Sequence, residues 1–401
     1  MNILYLCDEY PPGRHGGIGT MVQTVAREMV RQGHKVVVAG FYDWGYGEQD
    51  SFDDEGVMVY RFRRGLSSAI FKKQDSLPVR ALYKLFKISG TWQRDIKRSL
   101  SRYKEFVEQL IRDHRIELIE MPDYNDYMRF CRSYVPFPKF SRPTIVKMHG
   151  SMTYIMRENG HQVAGHIWQM EHDILEQASA LCSVSRYTAD KTITYLDCRK
   201  GVTVLHNGIH LPEMRETEKE KSTVIFAGTM SENKGIYQLM KAWNLVHAAM
   251  PGARLTVCGK GPVEKVRMLL TAGARDTVLF KSHLKRKELF TYFARAEVAV
   301  FPSYAETFGL APIEAMACGT ATIFTKRCSG PEIIDNGVDG ILIDPADVTD
   351  IAHNIIDLLS DEVRCNAMAV AGRQKVAAAF NIEILIKKYT AWYQQVFEEL
   401  D

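Results

Sequence analysis

The chain of 401 residues has no apolar run near the roughly 20 residues that a membrane-spanning helix requires. Its first residues, Met1-Asn2-Ile3-Leu4-Tyr5-Leu6-Cys7-Asp8-Glu9, carry no basic head and too short an apolar stretch for a secretory leader. Eight cysteines are scattered without a C-x-x-C pair, so reduced, mostly buried thiols of an intracellular protein are expected. There is no H-E-x-x-H, and no D-x-D that would let a metal bridge a diphosphate, so no metal site is expected. The dinucleotide fingerprint is missing too. Gly17-x-Gly19 lacks a third glycine, and the second predicted strand ends Val38-Ala39-Gly40 where an acid would be needed. That argues against a nicotinamide-dependent oxidoreductase.

What remains has the composition of a soluble globular protein, 46% hydrophobic and 25% charged, at a length comfortable for two domains. The net charge of +3 is unevenly spread. Residues 61–104 hold thirteen Lys or Arg against Asp75 and Asp95, a local +11, which leaves −8 for the rest.

Residues 2–7 read as a buried parallel strand. A turn-rich loop with Gly16, Gly17 and Gly19 follows, then a helix over 20–31 with Met21, Val22, Val25, Met29 and Val30 on one side, then a strand over 35–39. Glycines at a helix mouth after a strand can hold phosphate; a tight turn is the equal alternative. Strands are expected at 57–62, 116–121, 144–148, 180–184 and 202–205, with helices at 103–114, 167–177 and 188–195. Residues 65–101 read as the least regular part of this half. A polar stretch over 211–222 is the expected linker. Then β-α alternation restarts, with strands near 223–227, 255–258, 278–280, 298–301, 322–325 and 341–343. Long helices are expected at 350–359, 363–380 and 384–400. The domains are therefore drawn as 1–210, 211–380, and a final segment 381–401. In such sheets ligands sit at the carboxyl ends of the strands.

One stretch organises the second half: Phe301-Pro302-Ser303-Tyr304-Ala305-Glu306-Thr307-Phe308-Gly309-Leu310-Ala311-Pro312-Ile313-Glu314-Ala315-Met316-Ala317-Cys318-Gly319. Pro312 suits a first helical turn and Gly319 a helix stop. The loop thus brings Glu306 and the N–H groups around Phe308, Gly309 and Leu310 to a helix N-terminus, where an anion or an oxygen-rich ligand is favoured. Glu314 lies in the same helix. Two carboxylates at one mouth fit a ligand with many hydroxyl donors, such as a carbohydrate. An exposed Glu beside an ordinary N-terminal helix charge is the alternative.

Taken together, Ala227-Gly228-x5-Lys234-Gly235, Gly259-x-Gly261-Pro262, the stretch from Pro302 to Gly319 and Gly330-Pro331-Glu332-Ile333 resemble the nucleotide-sugar half of retaining glycosyltransferases of the GT-B fold, family GT4. Gly16-Gly17-Ile18-Gly19, His149-Gly150 and Asn207-Gly208 match the other half. The resemblance implies an α/β architecture of two doubly wound, Rossmann-like parallel-sheet domains facing a cleft, with the C-terminal helix returning to the first domain. It implies that Glu306 faces donor-sugar hydroxyls and that Glu314 binds the ribose. Lys234 would contact the diphosphate, and the backbone at Phe308, Gly309 and Leu310 would hold sugar and phosphate. Gly16 and Gly17 would approach the diphosphate, and His149 the sugar; a core histidine is the alternative for His149. Gly259 belongs to a matched loop, and the base would be met near Ser282, His283 and Leu284. Thr229 departs from the pattern, because many relatives carry Arg there. Lys234 and the helix mouth, Lys260 or Arg14 would have to supply that charge.

The implied activity is retaining, metal-independent transfer of a hexose from a nucleotide sugar, with UDP-sugars favoured and no cofactor. Glu306, Lys234 and His149 are the expected catalytic group. The acceptor would be a glycan or lipid-linked glycan of cell-surface polysaccharide or glycolipid synthesis. A non-catalytic nucleotide-sugar binder is the rival reading. The basic segment 61–104, with Phe71, Tyr83, Phe86 and Trp92, is expected to meet an anionic membrane from the cytoplasmic side. A solvated basic face or a groove for an acidic glycan are the alternatives. Nucleic acid is not expected, since no nucleic-acid motif accompanies the charge.

Overall fold

The computed structural model describes residues 1–13, 15–42, 46–47, 49–66, 77–213 and 218–400. Arg14, Phe71 and Asp75 lie outside the described residues, as do the side chains of Tyr83 and Lys87. The chain divides into two compact units. Unit 1 comprises Met1–Val184, Thr188–Leu205 and Leu385–Asp401; unit 2 comprises Ser185–Tyr187 and His206–Ile384.

Unit 1 holds β1 (Asn2–Leu6), α1 (Gly17–Arg31), β2 (Lys35–Tyr42), β3 (Ser51–Asp54), β4 (Val57–Arg63), α2 (Leu77–Ile88), α3 (Thr91–His114) and β5 (Leu118–Pro122). It continues with β6 (Thr144–Met148), α4 (Met152–Glu158), α5 (Gly165–Gln177), β7 (Ala180–Ser183), most of α6 (Arg186–Tyr195) and β8 (Val202–Val204). The strands order β3-β4-β2-β1-β5-β6-β7-β8, and only β3 runs antiparallel. The middle strands are mostly apolar, Glu120 on β5 and Lys147 on β6 excepted, because helices cover both faces of a parallel sheet. Ile3, Leu4, Val38 and Ile119 are wholly buried, each contributing roughly 1.5–3 kcal/mol relative to exposure. Strand order reverses between β1 and β5, so the loops after them flank the switch point.

Unit 2 repeats the plan. It holds β9 (Glu220–Ala227), α7 (Ile236–Ala249), β10 (Arg254–Cys258), α8 (Val263–Arg267), α9 (Ala272–Arg275), β11 (Val278–Lys281) and α10 (Arg286–Arg295). Then come β12 (Ala296–Phe301), α11 (Leu310–Ala317), β13 (Ala321–Thr325), α12 (Gly330–Ile333), β14 (Ile341–Ile343), α13 (Val348–Ser360) and α14 (Glu362–Ala379). Its sheet is all parallel, ordered β11-β10-β9-β12-β13-β14, with the switch between β9 and β12.

The short helices α4, α8, α9 and α12 are not expected from the sequence, and two larger features differ from that reading. Of residues 65–101, expected to be irregular, 67–76 lie outside the described residues, and from Leu77 on the chain is helical in α2 and α3, with Gly90 at φ 71° between. The density of basic residues hides a helical stripe of Trp92, Ile96, Ser99, Leu100 and Tyr103, all buried. The same stripe withdraws Trp92 from any membrane role. It is 2% exposed and packs on Phe86 and Phe130. Arg61 and Arg64 are buried as well; Arg61 donates to the carbonyls of Gln49, Tyr10 and Pro12. The second difference is β3, a short polar edge strand that carries no period-2 apolar signal.

The last helix, α15 (Ile382–Leu400), packs with unit 1 from Leu385 onward. Its buried Tyr389 and Tyr393 hydroxyls meet Lys147 on β6 and Glu120 on β5. Among the described residues no helix is long and apolar enough to cross a membrane.

Candidate functional site

In unit 2 the predicted residues gather along the carboxyl edge of the sheet. Lys234 sits in a short 3-10 turn after β9, which Gly235 ends at φ 67°. A β-carbon at Gly235 would lie 1.8 Å from the Pro302 carbonyl oxygen, so only glycine lets this turn press against the loop after β12. The Asn233 carbonyl accepts from the N–H groups of Tyr304 (2.8 Å) and Ala305 (3.4 Å), which stitches the two loops together. Across that seam Lys234 Nζ pairs with Glu306 Oε2. Glu306 keeps 17% of its side chain exposed and Lys234 31%, so the pair faces solvent in part.

The loop is held from behind by its carbonyls. Tyr304 C=O accepts from the Cys328 thiol (3.3 Å), Thr307 C=O from the Ser185 hydroxyl (2.7 Å) and Phe308 C=O from the Ser329 hydroxyl (2.6 Å). Phe308 packs against His206 and Phe380, which also pack on each other. Gly309, at φ 102°, starts α11. The first N–H groups of that helix, from Leu310 on, have no intrahelical partner and form an anion-favouring mouth. Three side chains thus fix the loop that carries Glu306.

Glu314 lies in α11 with 14% of its side chain exposed, and Arg286 Nη2 reaches its Oε1 at 2.9 Å. Burial pushes the Glu314 carboxyl above the usual range, and Arg286 pulls it back. Thr229 follows β9 and is exposed. Gly259 follows β10 at φ 151°; a β-carbon there would lie 1.9 Å from the Gly228 carbonyl oxygen, so Gly259 is fixed by close backbone approach. His283 is exposed and Leu284 half-buried after β11. A cavity of about 1270 Å³ lies at the C-terminal end of α11, lined by Lys219, Arg286, Phe290, Cys318 and Arg373 among others, so Arg286 stands between it and Glu314. It includes neither Lys234 nor Glu306.

In unit 1 the glycine loop meets an internal carboxylate. Glu9 accepts from the N–H groups of Gly16 (3.2 Å) and Gly19 (2.7 Å), where an anion is favoured at the mouth of α1. Gly17 has open space around it. His149 follows β6 and is half-buried. Asp123, at the end of β5, accepts from the N–H groups of His149 (2.8 Å) and Gly150 (3.3 Å). Burial, and then the buried Lys147 cation, hold the His149 imidazole well below its usual range, so it is neutral near pH 7. Burial pushes the Asp123 carboxyl up to about 7, and Glu171 adds to this against the pull of three backbone N–H groups.

The sequence reading missed Glu9, Asp123, Arg286, Ser185 and Ser329. Glu9 and Asp123 had a faint signal, since each ends or follows a predicted strand. The other three act through contacts between chain segments far apart in sequence.

The comparisons agree along the chain. Residues 15–212 match the model for Glycosyltransferase Family 4, and residues 211–375 match Glycosyl transferases group 1. The glycogen synthase of Mycobacterium tuberculosis is 25% identical over 406 aligned positions, covering 95% of this chain and 91% of that protein. The solved sucrose-phosphate synthase of Thermosynechococcus elongatus superposes at a TM-score of 0.75, with 19% identity and 99% of each chain covered. Anabaena HepE, solved in complex with UDP and glucose, superposes at 0.66, with 15% identity, 98% of this chain and 100% of its own covered. Two doubly wound units, an E-x7-E pair on the loop and helix after a central strand, and two family models that together span most of the sequence lead to one assignment: the chain belongs to the GT4 glycosyltransferases of the GT-B fold.

Proposed function

We propose that the protein moves a hexose from a nucleotide diphosphate sugar to a glycan or lipid-linked acceptor, with retention at the anomeric carbon and without a metal ion. The observation that carries this reading is the Lys234–Glu306 pair beside the mouth of α11. A lysine ammonium has three donors. Lys234 can therefore hold Glu306 and a phosphate oxygen together, which sets a sugar-binding carboxylate beside a leaving-group clamp. The charge that develops on the departing diphosphate meets Lys234 and the α11 amides, preorganised by the ties to Tyr304, Thr307 and Phe308. Glu314 takes the ribose hydroxyls. A carboxylate already paired with Lys234 is a poor nucleophile, which favours front-face attack, with a departing phosphate oxygen taking the acceptor proton, over a covalent glycosyl-enzyme. A neutral His149 can exchange hydrogen bonds with a sugar without placing a cation there. UDP-sugars stand first because HepE was solved with UDP and glucose.

Attachment to an anionic membrane at the cytoplasmic face is part of the proposal, on a narrower surface than 61–104. Lys84, Leu85 and Ile88 on α2 and Arg94, Lys97 and Arg98 on α3 are exposed. They combine apolar and basic groups of the kind that lie in a headgroup layer.

The test is a thermal-shift screen of UDP-, GDP- and ADP-hexoses, followed by turnover. A fitting donor stabilises by about 2.7 kcal/mol at a hundredfold excess over its Kd. Stabilisation by one nucleotide series with slow donor hydrolysis is expected. Stabilisation without turnover on any acceptor class would favour a non-catalytic binder, and no stabilisation by any donor would sink the reading.

A further inference from the structure

We propose that Arg286 is a positioning residue of the nucleotide site, holding Glu314 as an oriented carboxylate for the ribose hydroxyls. This rests on the nucleotide-sugar reading above.

Arg286 opens α10, directly after the loop that follows β11. Its Nη2 reaches Glu314 Oε1 at 2.9 Å, and its guanidinium lies 5.2 Å from the Phe290 ring centroid. Stacking on one side and the ion pair on the other restrict the fork to few orientations. Glu314 is nearly enclosed. A buried carboxylate stays ionised only with a counter-charge, and without one it takes up a proton instead. A protonated carboxyl has lost acceptor capacity and cannot serve two hydroxyl donors as a carboxylate does.

Few other groups can replace Arg286. One turn after Glu314, at the cap of its helix, comes Cys318, whose thiol is pushed up to about 12 by burial and by Glu314 itself. Lys219, Arg286 and Arg373 of α14 all act on Cys318, and among the described residues Arg286 is the cation that acts on Glu314. β13 has no ionisable residue, and the one on β12, Glu297, accepts from the Ser222 N–H. The enclosed carboxylate thus depends on one arginine from a neighbouring helix.

The experiment is calorimetric titration of UDP, GDP and ADP from pH 5.5 to 8.5 into wild type, Arg286→Met, Arg286→Lys and Arg286→Met/Glu314→Gln. Variant affinities are read as ratios to wild type at each pH, so the nucleotide's own titration cancels. For Arg286→Met the ratio should lie near one at pH 8.5 and fall as pH falls, approaching about a tenfold drop per pH unit below the raised Glu314 pKa. Arg286→Lys should restore a flat ratio, because it restores the charge. The double variant should bind weakly with no pH dependence. A pH-independent loss in Arg286→Met, or no loss, would overturn the proposal while leaving the nucleotide site standing. If Arg286→Met does not fold, Arg286→Gln is read the same way, with circular dichroism as the check. Wild type that binds none of the three nucleotides would overturn both the proposal and the reading beneath it.

Discussion

Replacing Glu306 by Gln separates the two carboxylates of the site by sign as well as size. Lys234 is engaged by Glu306, with 31% and 17% of the two side chains exposed. A partly exposed pair of this kind is worth roughly 0–1 kcal/mol. Glu306→Gln keeps the shape and removes a negative charge that repels the phosphate held on the same lysine. Free UDP should therefore bind with unchanged affinity or up to about fivefold more tightly, the factor that ~1 kcal/mol represents. Transfer should fall, because the sugar loses its charged acceptor. Glu314→Ala should act in the opposite direction on the free nucleotide. Hydrogen bonds to a charged acceptor contribute about 1.5–3 kcal/mol, or roughly 13- to 160-fold in Kd. Calorimetry with UDP reads both numbers without any acceptor. If Glu306→Gln weakens UDP as much as Glu314→Ala does, the division of roles is wrong.

Activity should survive EDTA, and Lys234→Ala should lose most of it; rescue of an EDTA-inactivated preparation by magnesium or manganese would contradict this. The folded His149 imidazole titrates well below the 6.5 of an unfolded chain, so the unfolded state takes the proton first. Tm should fall as pH drops below about 6.5, and His149→Gln should soften that slope; an unchanged slope would mean that other groups set it. Asp123→Ala should loosen the turn that carries His149 and lower transfer while sparing UDP affinity, measured by paired kinetics and calorimetry. Liposome co-sedimentation should show salt-sensitive binding to anionic vesicles, lost when Lys84, Arg94, Lys97 and Arg98 are changed to Glu; wild type left in the supernatant at low salt would remove the membrane reading.

The β-α alternation and the loop from Pro302 to Gly319 were legible because both are local. A buried strand reads as an apolar run, and Glu306, Pro312 and Glu314 lie within one short segment. Lys234 was legible for the same reason, standing next to Gly235. The partners were not. Arg286 reaches Glu314 across 28 positions of sequence, and Ser185 reaches Thr307 across 122, with no periodic signal to mark either. Glu9 and Asp123 act on backbone N–H groups, which every sequence possesses. In α3 the basic residues dominated the pattern, so Trp92 read as a surface aromatic although it belongs to the core.

Retaining hexosyl transfer at the Lys234–Glu306 loop is tested most directly by the stereochemistry of the product. Proton NMR should follow the reaction of the donor selected by thermal shift with a glycan acceptor. A product glycoside with the same anomeric configuration as the donor is expected, formed by wild type and nearly absent with Lys234→Ala. A product of inverted configuration, or one formed equally well by Lys234→Ala, would contradict it.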